Sequence, residues 1–517
     1  MQKLRRGRVS SFEKVSEGGA LTTLGAVAAI ILQFLCGLIL VRITSTTEFG
    51  LVALAYIMVS LLSLLGSLGF RNGVTYFLAV HRKDTAEPFG KNIIATALTA
   101  GVLAAGLLTI VTLGIASSLE SALNQPELRQ SLSILSLMIL PVVATNILTA
   151  VHRGFENVQA KLLFQDVSPN LFRAGLLLLL LVLGLGYREA LWAYVASVWI
   201  SLGLYLVYTG RMWRRDFLGV VDVTTGKALL RFSLPLAVSE LLTNIVHWAG
   251  VLALGIWHSS DQVAHFSVAI RVATLMGIPL VAMSFLYLPV SSALHSPGSK
   301  KERTNLYLST AKIAFHVTAP VALYLLFNGE ALLSAIFGKE YSAAGDALRF
   351  LCLGFAVHTF FGLNGITLVS LGDSSKVLRA SIISALILGF LCVLLVPHYA
   401  SPGAALATAA AMLASNCYLS IELHRRTGIH FLHSHYLKPA ALMVAVCGAA
   451  FALLRGAQIE NISWHFAVFL AAAIFSLAAP SLTGNLTVAD RELLKALKYS
   501  GRRIAPNRRP LPGPESN

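Results

Sequence analysis

Apolar residues in this chain gather into long unbroken runs, not the stripes that mark amphipathic helices or half-buried strands. Fourteen runs stand out: Ala20 to Val41, Phe49 to Phe70, Asn92 to Ala116, Ser131 to Val151, Asn170 to Tyr187, Ala190 to Thr209, Leu229 to Trp257, Val263 to Leu288, Asn305 to Phe327, Ala347 to Leu371, Val377 to Val396, Pro402 to Ile421, Leu437 to Leu454 and Ile462 to Leu482. A helix needs roughly 20 apolar residues to cross a bilayer core of about 30 Å, so each run predicts one span. Continuous Leu, Ala and Gly over such lengths excludes the short alternating strands of a membrane β-barrel. The predicted class is an all-α polytopic membrane protein with about fourteen transmembrane helices.

Composition agrees: the 517 residues are 56% hydrophobic and 12% charged, with a mean hydropathy of +0.73. Fourteen spans assign the connecting segments alternately to two sides, and thirty-two of the forty Lys and Arg fall on one of them. They include Lys3, Arg5, Arg82, Lys83, Arg214, Arg215, Lys300, Arg425, Arg502 and Arg509. The opposite side holds Arg42, Arg129, Arg188, Lys339, Arg349 and Arg455, and only Arg173 and Arg271 are expected inside spans. By the positive-inside rule both termini are expected to be cytoplasmic, and the expected location is the bacterial inner membrane. The net charge of +16 then faces anionic membrane lipid. Nucleic acid is not an expected partner, because no loop is long enough to form a basic folded domain.

The first apolar run, about 22 residues, exceeds the 7–15 of a cleaved signal and reads as a retained span. Cys36, Cys352, Cys392, Cys417 and Cys447 lie within spans without CxxC spacing, so neither disulfides nor a metal site is expected. The chain has no GxxxxGK[ST] and no HExxH, and therefore no sign of a nucleotide or metal cofactor.

The longest internal polar stretch, Gly210 to Lys227, divides the chain. The expected organisation is a six-helix lobe over 1–209, a cytoplasmic linker over 210–228, a second six-helix lobe over 229–421, an appended helix pair over 422–489 and a disordered basic cytoplasmic tail over 490–517. Six is even, so spans one and seven enter from the same side and the two lobes are expected to be parallel repeats. Thr47–Ala53, opening span two, resembles Asp261–Ser267, opening span eight. On span twelve Gly403, Ala407, Ala411 and Ser415 recur every four residues, the mark of a close helix contact. Pro141, Pro235, Pro279 and Pro320 interrupt spans and predict bends.

Polar groups within spans are the main lead to function, since each costs free energy in hydrocarbon. Glu240, Asn244 and His247 on span seven are spaced to share one helical face, as a cavity wall or as a hydrogen-bonded helix seam. Arg271 is placed ~12 Å below the outer end of span eight and Glu240 ~15 Å above the inner end of span seven, so their depths nearly match. Arg271 therefore meets either this carboxylate or an anionic substrate, both of which suit its planar fork. Tyr56, Ser60, Ser63 and Ser67 form a second stripe on span two, continued by Arg71, as a wet wall or a packing seam. Arg42 stands at the outer end of span one. Arg173 is expected to snorkel to water from the inner end of span five. His316 and His358 read as structural, and His152 sits at a cytoplasmic helix end.

Several segments resemble the polysaccharide-biosynthesis (Wzx-type) flippases of the multidrug/oligosaccharidyl-lipid/polysaccharide exporter superfamily. They are Val41-Arg42-Ile43 through Glu48-Phe49-Gly50-Leu51, with Gly66-Ser67-Leu68-Gly69-Phe70; Val151-His152-Arg153-Gly154-Phe155-Glu156; Ile336-Phe337-Gly338-Lys339-Glu340-Tyr341 with Ala343-Ala344; and Val396-Pro397 followed by Gly403-Ala404-Ala405-Leu406-Ala407-Thr408. The resemblance implies two lobes around a hydrophilic cavity, alternating access, and a polyprenyl-pyrophosphate-linked glycan as substrate. A glycan polymerase or glycosyltransferases would then be pathway partners. In that frame Arg271, with Arg42 and Arg71 toward the two ends, engages the pyrophosphate, and Glu240 and His247 tune cavity charge. Lipid II transport in the same superfamily is the nearest alternative. A membrane-embedded glycan polymerase, ligase or glycosyltransferase is the alternative from another class, disfavoured by the short outer loop Asn328 to Asp346. The expectation is a transporter and not an enzyme.

Overall fold

The computed structural model describes residues 2–80, 88–212, 219–293, 300–429, 433–456, 462–486 and 490. The centre of the expected linker, the Arg82–Lys83 loop and the tail beyond 490 lie outside the described residues. Among those described, every regular element is helical, and the chain is a polytopic membrane protein.

The first half contains α1 (Gln2–Ile43), α2 (Thr46–Gly66), α3 (Phe70–Val80), α4 (Pro88–Leu123), α5 (Leu128–Ser136), α6 (Ile139–Gly154), α7 (Val158–Lys161), α8 (Ser168–Leu183) and α9 (Tyr187–Met212). The second contains α10 (Val223–Trp257), α11 (Ser260–Thr274), α12 (Ile278–Ala293), α13 (Lys300–Phe337), α14 (Gly345–Phe361), α15 (Asn364–Ser370), α16 (Ser374–Thr427), α17 (Ser434–Gly456) and α18 (Ile462–Leu482). Each of the fourteen apolar runs falls on these helices. Eleven described helices are long and apolar enough to cross a membrane, or twelve if the two arms of bent α10 count as one span.

The 54 residues of α16 would stretch ~81 Å as one rod, far more than a bilayer core. Ala400, at φ 46° and ψ −130°, breaks it into a hairpin, and Ser384 Oγ donates to Ala411 O at 3.3 Å. At the open end Lys376 meets Glu422 at 3.1 Å and Arg426 meets Asp373 at 3.2 Å. Ala411, on the small-residue stripe, is thus where the two arms touch. Pro141 and Pro279 lie in the first turns of α6 and α12, just after breaks in the helix, where a missing N–H costs nothing. Pro235 and Pro320 lie inside α10 and α13.

Leu386, Phe390, Val182, Leu453 and Ile474 are each more than half exposed, the surface a bilayer covers. One continuous apolar core runs from Cys36 on α1 to Ala411 on α16. The two look-alike segments meet within it: Thr47 Oγ1 donates to Asp261 Oδ1 at 2.7 Å, and a Cβ on Gly50 would lie 1.9 Å from Ser260 O. Only a residue without a side chain lets α2 and α11 approach this closely. Ser45 and Glu48 close a capping box at the start of α2, satisfying two orphan N–H groups. Phe49 against Tyr341 and Phe34 against Phe337 extend the same seal.

α17 and α18 pack on α13 through Phe315, Tyr436, Met443, Cys447 and Phe451. Lys312, on the same helix and within the run Asn305 to Phe327, corrects the expected count: it is a third intramembrane cation beside Arg173 and Arg271, and not one of the thirty-two on one side. It is buried, 2.5 Å from Asp490, and donates to Asn485 O at 2.9 Å. Asp490, where the free tail was expected to begin, is therefore anchored.

Candidate functional site

A cavity of about 260 Å³ is lined mostly by the first half and closed on one side by α10, with Gln33, Tyr56, Ser60, Ser63, Arg71, Asn146, Gln165, Asn170, Arg173, Ser201 and Asn244 among its walls. α2 presents Tyr56, Ser60 and Ser63 at helical spacing, and the pattern read from sequence is thereby brought to one surface. Ser60 donates to Tyr56 O at 2.7 Å and Ser63 to Val59 O at 2.8 Å. Their protons stay on their own helix, and only oxygen lone pairs remain for the cavity. Ser63 and Ser67 are 1% exposed, so the stripe packs as well as lines.

Arg173 corrects the sequence reading. It does not snorkel to water but is 4% exposed, with its guanidinium 4.3 Å from the Tyr194 ring centroid and 5.3 Å from that of Tyr56. The two rings meet edge to face at 5.7 Å, each offering π density to the cation. The reason is where the span starts. Helix begins at Val158 and passes through a π turn at Leu162–Val167, so Arg173 is ~22 Å from the helix start instead of at its end. Its Nε meets no protein acceptor among the described residues. The sequence signal was available in Gln165, Asn170 and Arg173, polar residues at near-helical spacing that bridge the predicted edge of span five.

Beside Arg173 runs a chain of amides: Gln165 Nε2 donates to Asn146 Oδ1 at 3.1 Å, and Asn146 Nδ2 to Ser67 Oγ at 3.2 Å. Asn146 was readable as a lone amide in an apolar run.

Glu240 and Arg271, expected from sequence at nearly matching depths, do not meet. Glu240 pairs with Arg71 at 3.0 Å. Arg271 donates to Gln33 O at 3.2 Å, lies against Gly37, where a Cβ would come within 2.9 Å of its Nη1, and sits 5.7 Å from the Phe49 ring. α11 packs on α2 and touches α1, whereas this stretch of α10 faces α3, which separates the two charges. Asn244 reaches the cavity while donating to Glu240 O at 2.8 Å. His247 is exposed and not on the wall; α10 bends by 63° between Val223–Leu242 and His247–Trp257, which splits the expected three-residue face. Arg42 is at the sealed end, donating to Ile336 O at 2.8 Å. The structure thus gathers Tyr56, Ser60, Ser63, Arg71 and Asn244 around one cavity, ties Glu240 to it through Arg71, and leaves Arg271, Arg42 and His247 off it. Among the described residues no three His, Cys, Asp or Glu converge as a metal site.

Comparison with known proteins gives two family matches, "Polysaccharide biosynthesis protein" over residues 15–295 and "MatE" over residues 235–395. The chain is 24% identical over 337 residues to succinoglycan biosynthesis transport protein ExoT of Rhizobium meliloti, 63% of each chain. It is 22% identical over 211 residues to the probable low-salt glycan biosynthesis flippase Agl15 of Haloferax volcanii, covering 41% of this chain and 42% of the other. The chain spans less than two thirds of the curated relatives it matches. Its fold is similar to that of lipid II flippase MurJ in an inward closed conformation, at TM-score 0.71 and 14% identity over 89% of this chain and 98% of the other. It is also similar to an inward-facing multidrug resistance MATE family transporter of the MOP superfamily, at TM-score 0.62 and 17% identity over 79% and 98%.

Proposed function

This chain belongs to the polysaccharide biosynthesis protein family, and from that premise we propose that it is a flippase. It carries a polyprenyl-pyrophosphate-linked oligosaccharide from the cytoplasmic to the outer leaflet by alternating access, and makes or breaks no covalent bond. The observation that carries this reading is the buried Arg173, with Arg71 on the same cavity wall. A buried guanidinium is costly in a bilayer, and two Tyr rings compensate it only partly. A diphosphate supplies the acceptors its fork still has room for. The seryl oxygens and amides beside it suit a polar headgroup.

The sealed end, at Thr47–Asp261, Gly50–Ser260 and Arg42–Ile336, is then the outer gate of an inward-directed state. Arg271 and Arg42 become the next cations the diphosphate meets as that gate opens. Glu240 holds Arg71 until substrate competes for it, and His247 stands on the opposing arm of α10. The basic loops and both termini are cytoplasmic, and the membrane is the bacterial inner membrane. The halves at 1–209 and 229–421 are the moving lobes, with the linker between them and the helix pair 422–489 fixed to the second. A glycan polymerase or glycosyltransferases act before or after it.

The test is delivery of a fluorescent polyprenyl-pyrophosphate glycan, with lipid II alongside it, in proteoliposomes. Wild-type protein moves the glycan lipid, and Arg173→Gln and Arg71→Gln each slow it at least tenfold. Failure of the wild type to deliver either lipid overturns the transport reading, and delivery of lipid II alone overturns the substrate. Reporter fusions placing the termini outside the cell overturn the orientation.

A further inference from the structure

A second pocket, of about 360 Å³, lies at the sealed end, between the last turns of α13, the 3-10 turn Lys339–Ala344 and the start of α14. Asn328, Glu330 and Ser334 come from α13, Ser342 from the turn and Arg349 from α14, with Phe327 as the apolar side. The backbones meet tightly here because residue 345 is glycine: a Cβ on it would lie 3.0 Å from Glu330 Cβ. The walls are set by the helix packing and not by a free loop.

Arg349 is held by Glu330 at 3.6 Å and by a shorter contact with Asp346. Two donors are left over. Asn328 Nδ2 and Arg349 Nε are buried and meet no acceptor among the described residues, an arrangement that costs free energy unless something else accepts from them. The Glu330 and Asp346 carboxylates are more than half exposed and have lone pairs to spare.

The charges select the ligand class. One guanidinium already engaged by two carboxylates leaves the cluster net negative, which repels phosphate or diphosphate. The same guanidinium repels a metal ion, and no three-residue metal cluster exists among the described residues. A neutral molecule that donates to carboxylates and accepts from an amide and a guanidinium satisfies every group, and vicinal hydroxyls on a sugar ring do both at once. The apolar face of such a ring suits Phe327. The volume lies within the range of small-molecule sites.

We propose that this pocket binds a neutral sugar residue, distinct from the cationic cavity that takes the diphosphate. It rests on the flippase reading for the source of that sugar, the arriving glycan, and not for its chemistry. Glu330 and Asp346 accept from the hydroxyls, and Asn328 and Arg349 donate to ring or hydroxyl oxygens. A glycan held at this end does not slide back while the diphosphate follows.

The experiment is saturation-transfer NMR on the full chain in nanodiscs, titrated with glucose, galactose and N-acetylglucosamine, with inorganic pyrophosphate as competitor. At least one sugar is expected to bind, unaffected by pyrophosphate, and Asn328→Leu and Glu330→Gln each weaken it about fivefold or more. Glu330 is exposed, so its variant folds even if Asn328→Leu does not. No transfer to any of the three sugars, or titrations unchanged in the folded variants, overturns the site. Proteoliposome delivery separates the two ideas: sugar binding without delivery by the wild type sinks the flippase reading alone, and delivery without sugar binding sinks this site alone. Where both stand, slower delivery by Glu330→Gln assigns the pocket to the transported glycan. Unchanged delivery supports the site with free saccharide as its occupant.

Discussion

Arg71 and Glu240 lie 3.0 Å apart across the contact of α3 with α10, an ion pair between the two halves of the chain. Arg71 is one-third exposed and Glu240 about one-sixth, so the pair is partly solvated and contributes on the order of 1 kcal/mol or less. We predict unequal effects of neutralising each partner. Arg71→Gln and Glu240→Gln shift the thermal midpoint little and alike, but only Arg71→Gln slows glycan-lipid delivery tenfold. Equal losses of delivery would make the pair purely structural.

For Arg173, Tyr194→Leu removes the nearer ring and is expected to destabilise the protein by about 2 kcal/mol, the upper range for a desolvated cation–π contact. Arg173→Lys keeps the charge but loses the fork and is expected to recover folding without recovering delivery. Thermal unfolding in detergent, paired with the proteoliposome assay, reads both.

Lys312 and Asp490 are 4% and 1% exposed, and a pair this buried behaves differently from its surface counterparts. Lys312→Met or Asp490→Asn alone strands a charge and costs about 3–5 kcal/mol, whereas Lys312→Met with Asp490→Leu returns most of it. A double-mutant cycle of unfolding midpoints that came out additive would contradict the coupling.

The seal at Thr47 and Asp261 gives a distance test. Thr47→Cys with Asp261→Cys is expected to cross-link under mild oxidation, because the native side chains are 2.7 Å apart, and cross-linking is expected to stop delivery until reduced. Gly50→Val, which forces α2 away from Ser260, is expected to abolish the cross-link.

Asp222 caps α10. The hydroxyls and backbone N–H groups of Thr224 and Thr225 donate to its carboxylate and hold its pKa well below the usual range. A lowered folded-state pKa means the stabilisation is complete above the unfolded value of about 3.9 and is lost as pH falls through the folded one. Asp222→Ala therefore lowers the unfolding midpoint by a constant amount from neutral pH down to mild acid, and the gap to wild type closes only in strong acid. A gap that vanished by pH 5 would refute this.

What could be read without coordinates was local. The stripe Tyr56, Ser60, Ser63 depends on one helix alone, and its three residues line one cavity. The face Glu240, Asn244, His247 obeyed the same rule but failed at His247, because bent α10 does not keep one face. Arg173 was misplaced because polar residues from Gln159 to Asn170 resemble a loop on a hydropathy scale, yet they belong to a helix that starts earlier, and Gln165 and Asn170 line the cavity.

That the chain is helical and membrane-spanning follows from its apolar runs alone, because a stretch of about 20 apolar residues in lipid has no other way to satisfy its backbone. The sequence also named Arg173 and Arg271 as intramembrane charges, but not Lys312, whose neighbours in sequence are as apolar as a span requires. Which groups meet is a matter of packing: Arg71 with Glu240, Arg173 with two tyrosines, Lys312 with Asp490, and Arg271 with a carbonyl of α1. Depth along a helix is a property of sequence, but the direction a side chain faces among a dozen packed helices depends on rotations and bends set by all its neighbours together.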